Sequence, residues 1–408
     1  MFMFKLWKPR TPLGAAFATV LLVALVPVIE ASVAHATPSS VGVLYAMTNQ
    51  SPNQIVAFAR GADGSIHAVQ RVNTGGAGSP SNNPPFPQNH LDADNEIKLT
   101  ATQSGTLLFA VNAGDNTVSS FRIGPQGVLT LADRKPSGGN HPVSLDSYNG
   151  LLYVVNEVDP SGKDISGLRY TSQGMMTPIP NSTRSLATPY ASDNGFGFAE
   201  PLPSQVIFSP DGRELIVTER TSNAFQGQLD TFAIAANGRP GPVQVNATNA
   251  PIPFGMAWDG HGHLIVANAG PPPPPFAMSS ASSYGWSGTT LTPLYNVSSN
   301  ASATCWVSIT NNGKYAFTSS QLSNNVSSFA IAKSGQLTLL GQVPTSGHAA
   351  DTALSSDSHY LYVLNVLNAN GSGGALIDSY SVRSDGSLVH LATSDPGIPD
   401  SASGLASS

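Results

Sequence analysis

Few side chains in this 408-residue chain have types and spacing suited to chemistry. His141 is followed by Glu157, and Glu219 stands directly before Arg220. A histidine, one or two carboxylates and an arginine around a polar opening suit acid/base work on an anionic substrate: imidazole moves a proton near neutral pH, carboxylates orient it, and guanidinium holds negative charge. Asn112, Asn156, Asn268, His348 and Asn365 recur at matching places along the chain and are candidate substrate contacts. Asparagine at a strand end also pairs the turn that follows, so each of the four has a structural alternative. His90, within a Pro-rich stretch, is a weaker candidate. Metal chemistry is not expected. Cys305 is the only cysteine, and His261-Gly262-His263, which resembles a metal pair, has no third ligand nearby in the repeat. No cofactor motif is present, and no Gly-x-Ser-x-Gly elbow of an α/β-hydrolase occurs.

These residues depend for their meeting on a repeat. An apolar strand, a tight Gly or Asp turn and a second strand ending in Asn, Glu, Thr or Ser recur seven times, the last residues being Thr48, Asn112, Asn156, Glu219, Asn268, Ser319 and Asn365. Steps of 44–64 residues hold four short strands each. The fold expected is all-β: a seven-bladed β-propeller of four-stranded antiparallel blades. With strands A to D running outward from the axis, the C–D turns carry a glycine at Gly64, Gly127, Gly174, Gly238, Gly335 and Gly386, and the A–B turns are equally short. Long insertions, at 75–95, 180–203, 270–288 and 368–374, fall only in D–A and B–C connections and therefore on one face, called the top. Function collects on loops presented by a rigid scaffold, so the top face is the expected site. Tyr190, Phe196, Tyr284 and Trp286 are expected to be exposed in these insertions. Blade 1 begins at its strand B, and the segment 400–408, with 402–406 at its centre, is expected to supply its missing inner strand and close the ring.

Lys5, Lys8 and Arg10 precede an apolar run over 13–29, and Ala34-His35-Ala36 follows. Residues 1–36 are therefore expected to be a signal peptide and 37–408 the propeller, placing the mature protein in the periplasm or outside the cell with no stable membrane span. Removing the signal takes away three basic residues and one acidic one, moving the formal charge from −6 to −8. Without a Lys/Arg cluster beyond residue 10, nucleic acid is not an expected partner.

The phrases Gly139-Asn140-His141-Pro142 through Tyr153-Val154-Val155-Asn156-Glu157, and Phe208-Ser209-Pro210-Asp211-Gly212 through Val217-Thr218-Glu219, resemble the seven-bladed propeller lactonase family, which groups 6-phosphogluconolactonase-like proteins with carboxymuconate cyclases. The resemblance implies lactone hydrolysis, or lactone formation by cycloisomerisation, at a metal-independent site on the top face. His141, Glu157 and Glu219 match the family's histidine before strand A, its acid after strand B and its blade-4 acid. Val143 and Pro203-Ser204-Gln205 depart from the family's basic positions. The expected function is an exported hydrolase of a sugar or aromatic lactone, with Arg220 stabilising the oxyanion and Glu219 orienting Arg220. The alternatives are a cycloisomerase acting on a muconate-like acid, or a non-catalytic propeller binding glycan or protein. The expected partner is a small lactone or carboxylate.

Overall fold

The computed structural model describes residues 40–79, 91–157, 163–188, 202–220, 227–270, 279–288, 290–366 and 374–408. The expected signal peptide, His90, Tyr190 and Phe196 lie outside the described residues. Ser39–Ser408 forms one compact unit. No helix among the described residues is long and apolar enough to cross a membrane.

Seven antiparallel sheets form the blades, strands pairing with their sequence neighbours except at the closure of blade 1 and at the outer edge of blade 3. Blade 3 is representative. Strand A (Pro142–Tyr148) pairs with B (Leu151–Asn156), and B with C (Asp164–Tyr170). Its strand D differs from the expected single strand. Met176–Pro178 and the added Arg184–Ser185 both pair with C, because the chain turns between them and covers the rest of that edge. Strands A and B are buried on both faces, which explains their near-continuous apolar runs in place of alternation.

The repeated turn glycines fix how blades stack. In blades 1, 3 and 7 a buried strand-B tyrosine donates its hydroxyl to the C–D turn glycine carbonyl of the next blade: Tyr45 to Gly127 O, Tyr153 to Gly238 O and Tyr362 to Gly64 O. Gly127 has φ 78°, and a Cβ there would come within 2.2 Å of Val43. Both the backbone conformation and the close approach demand glycine.

The ring closes through the C-terminus. Leu405–Ser407 pairs antiparallel with Gly42–Met47, so the inner strand of blade 1 lies within the expected closing segment 400–408, towards its end. Residues 401–404 still bind the same edge through Ser403 N to Met47 O and Ser401 Oγ to Thr48 O. In blade 5, strand C begins at Ser280, which shortens the expected B–C insertion. Tyr284 is fully buried in that strand and Trp286 is half-buried against Trp258; neither is an exposed loop aromatic. Strand C continues through them because every second side chain enters the space between blades.

Candidate active site

Pairing of strands A and B brings distant residues to equivalent places around the channel mouth. Asn156, Glu219, Asn268 and Asn365 oppose Pro142, Pro203, Pro253 and Ala349 respectively. The next residues, Glu157, Arg220, Ala269 and Val366, oppose His141, Leu202, Ile252 and His348. Glu157 N donates to His141 O at 3.0 Å, so the backbone itself sets the two side chains next to one another. His141 has φ 55°, and the equivalent Ile252 and the blade-6 Ala303 share that left-handed conformation. This backbone therefore recurs at the entrances of blades 3, 5 and 6, and not at Leu202 or His348 in blades 4 and 7. Asn116 Oδ1 accepts from His141 N at 2.8 Å and supports it.

Side chains extend the pair into a chain of four. His141 Nδ1 donates to Glu157 Oε2 at 2.8 Å, and Glu157 Oε1 lies 3.5 Å from Arg220 Nη2. The Arg220 guanidinium also bonds the Asp92 carboxylate and lies over the Phe254 ring, 5.3 Å from its centroid. Asp92 is held in place because Trp306 Nε1 donates to Ala93 O at 2.7 Å and Asp94 N to Ser204 O at 3.0 Å. Burial on its own would push His141 down, but the hydrogen bond and charge of Glu157 outweigh it and its pKa is raised. Burial is likewise outweighed at Arg220, by the charges of Asp92 and Glu157. The His141 and Asp92 side chains remain 24% and 23% exposed, whereas that of Arg220 is 7% exposed. His141 Nε2 makes no hydrogen bond among the described residues.

Glu219 does not join this group. Successive strand residues face opposite ways, so Glu219 turns from Arg220 into the interior of blade 4. There it lies 3.4 Å from Lys163 Nζ, both groups essentially unexposed, and hydrogen-bonds Asp230 and Thr188. Burial, reinforced by Asp230, pushes the Glu219 carboxyl up to about 7, and burial pushes the Lys163 ammonium down. The expected orientation of Arg220 by Glu219 is replaced by Asp92 and Glu157.

The four asparagines are buried in their own blades. Asn112, Asn156 and Asn268 donate to Ser119, Ser166 and Ser282 on strand C, and Asn365 donates to Asp378. Glu219 with Asp230 is the blade-4 version of this crosslink. His348 occupies in blade 7 the place of His141 in blade 3, but faces Val366 where His141 meets Glu157; burial lowers its pKa. His261 and His263 sit on the opposite face, where His263 Nδ1 bonds Asp259 Oδ2 at 2.6 Å. No group of three metal-ligating side chains occurs among the described residues.

Asp92, Lys163 and Phe254 were not among the sequence candidates. Asp92 had a visible signal: Asp92, Asp94 and Glu96 form an acidic run leading into the blade-2 strand A (Ile97–Thr102), as His141 leads into that of blade 3. Lys163 and Phe254 had none, since their partners come from other blades.

Residues 279–394 match the family model described as "Lactonase, 7-bladed beta-propeller". The chain resembles the seven-bladed propeller lactonases. The matched stretch covers the outer half of blade 5 through blade 7, while the four-residue cluster comes from blades 2 to 4, so the match speaks to the fold and leaves the cluster to its geometry. Among solved structures, a candidate 6-phosphogluconolactonase of Bacteroides uniformis is 15% identical with TM-score 0.66, covering 88% of this chain and 98% of that one. One from Bacteroides fragilis is 16% identical with TM-score 0.66, at 91% and 99% coverage. The periplasmic gluconolactonase PpgL of Pseudomonas aeruginosa is 19% identical with TM-score 0.63, at 89% and 98% coverage. Identities this low establish a common fold. No curated protein sequence matches the chain.

Proposed function

We propose that the protein is a lactone hydrolase in which His141 is the general base. Nε2 takes a proton from a water molecule as its oxygen attacks the lactone carbonyl, and returns it to the ring oxygen as the acyl–oxygen bond breaks, yielding the hydroxy acid. Glu157 fixes the ring through Nδ1 and stabilises the imidazolium, while Arg220 and Asp92 hold Glu157 in place. The observation that carries the reading is the 2.8 Å His141–Glu157 hydrogen bond, which leaves Nε2 as the available nitrogen of a partly exposed ring. The family resemblance supports the same chemistry. Export through residues 1–36 is part of the proposal and agrees with the periplasmic description of the Pseudomonas aeruginosa protein.

The test is titrimetric hydrolysis of a panel of sugar and aromatic lactones between pH 6 and 9. Turnover that is lost in His141→Ala supports the reading. A wild-type protein silent on the whole panel, or a fully active His141→Ala protein, overturns it.

A further inference from the structure

The charges around His141 bear on which lactone can enter, an inference that rests on the hydrolase reading for its chemistry but not for its binding test. An arginine beside a catalytic pair ordinarily suggests an anionic substrate. Arg220, however, is already engaged by two carboxylates, Asp92 and Glu157, so the cluster holds one fixed cation against two anions. Strands A and B of all seven blades contain just two Lys or Arg residues, Lys98 and Arg220, and Lys98 is paired with Asp146 at 3.0 Å. Lys163 is buried against Glu219. Arg71, Arg134, Lys135 and Arg184 belong to the outermost strands, where each already faces an acceptor.

We infer that the site takes an uncharged, hydroxyl-bearing lactone and rejects phosphorylated or carboxylated ones. With His141 neutral, as a base must be, a phosphate or carboxylate at the mouth meets one fixed cation against two anions, and each Lys and Arg named above is already engaged. It could reach Arg220 only by displacing Asp92 or Glu157. Hydroxyl groups suit the same surroundings, because they donate hydrogen bonds to carboxylates and carry no charge to repel. Discrimination thus comes from the cost of bringing a like charge to the site as much as from the hydrogen bonds made to the preferred ligand.

The experiment pairs D-glucono-1,5-lactone with its 6-phosphate in hydrolysis, and the matching neutral and 6-phosphorylated lactams in calorimetric binding. The neutral member of each pair is expected to be favoured at least about tenfold in kcat/KM and in affinity, with the gap narrowing as salt screens the repulsion. Asp92→Asn removes one anion and should narrow it further. If that variant does not fold, the salt series on the wild type decides alone. Neutral lactam binding without any hydrolysis would sink the hydrolase reading and leave the ligand class standing. Preference for the phosphorylated member, tighter binding of it at low salt, or binding of neither lactam would overturn the inference.

Discussion

In blades 3 and 7 a histidine opposes the residue that follows a buried strand-B asparagine, and the two asparagines point alike into strand C. Strand pairing places the two histidines alike, yet Glu157 stands beside one and Val366 beside the other. His141 gains an acceptor that raises its pKa, while His348 has a buried Nδ1 without a hydrogen-bond partner among the described residues and a pKa lowered by burial. Blade 7 thus shows the scaffold, and blade 3 the scaffold with an acid added beside the histidine. Equivalent positions in the repeat thus differ in electrostatics, and one acid on the neighbouring strand makes that difference.

The largest expected effect removes the feature that separates the two blades. His141→Ala should lower kcat about 10²- to 10⁴-fold on whichever lactone is turned over, the usual scale for an acid/base group. Melting temperature should change little, since the ring is partly exposed. Steady-state kinetics alongside a thermal melt would check both, and unchanged turnover would put blade 3 on a par with blade 7.

Blade 4 extends the comparison, because Glu219 replaces the asparagine and depends on Lys163. Lys163→Met should destabilise the protein by about 3–5 kcal/mol, as one member of a buried ion pair is stranded. Adding Glu219→Gln should restore most of that loss, which urea denaturation can measure. The sign with pH follows from the raised carboxyl: Glu219 contributes stability below its unfolded value near 4.5 that is lost as pH rises through about 7. Glu219→Gln should flatten stability across that window.

The two histidines should also titrate on opposite sides of 6.5 when followed by NMR, His141 above and His348 below. His141 supports folding at pH below 6.5 and loses that contribution as pH rises through its native value. His348 opposes folding as pH falls below 6.5. The base must be neutral, so the alkaline-rising limb of kcat/KM should lie above 6.5 and move down in Glu157→Gln. A limb that stays in place would assign it to another group.

The smallest effect is reserved for blade 7. His348→Ala should change turnover no more than a few-fold, and a loss matching that of His141→Ala would erase the distinction between the blades.

The seven-blade architecture, the terminal closure and the face bearing His141 and Glu157 were legible in the chain because they follow from local rules. Strand-length apolar runs, glycines at positive φ and a single hairpin between His141 and Glu157 all act over a few tens of residues. Glu219 and Arg220 were also correctly brought to the neighbouring blade. Their directions were assigned wrongly, since strand pleat sends adjacent side chains apart and a buried lysine of the preceding blade was needed to receive Glu219. Only the closed ring decided that Asp92 reaches Arg220 across 128 positions, that Trp306 ties the same segment from across 213, and that the asparagines are consumed inside their blades. Those contacts join blades that are distant in sequence, and no local pattern encodes which charge meets which when the ring shuts.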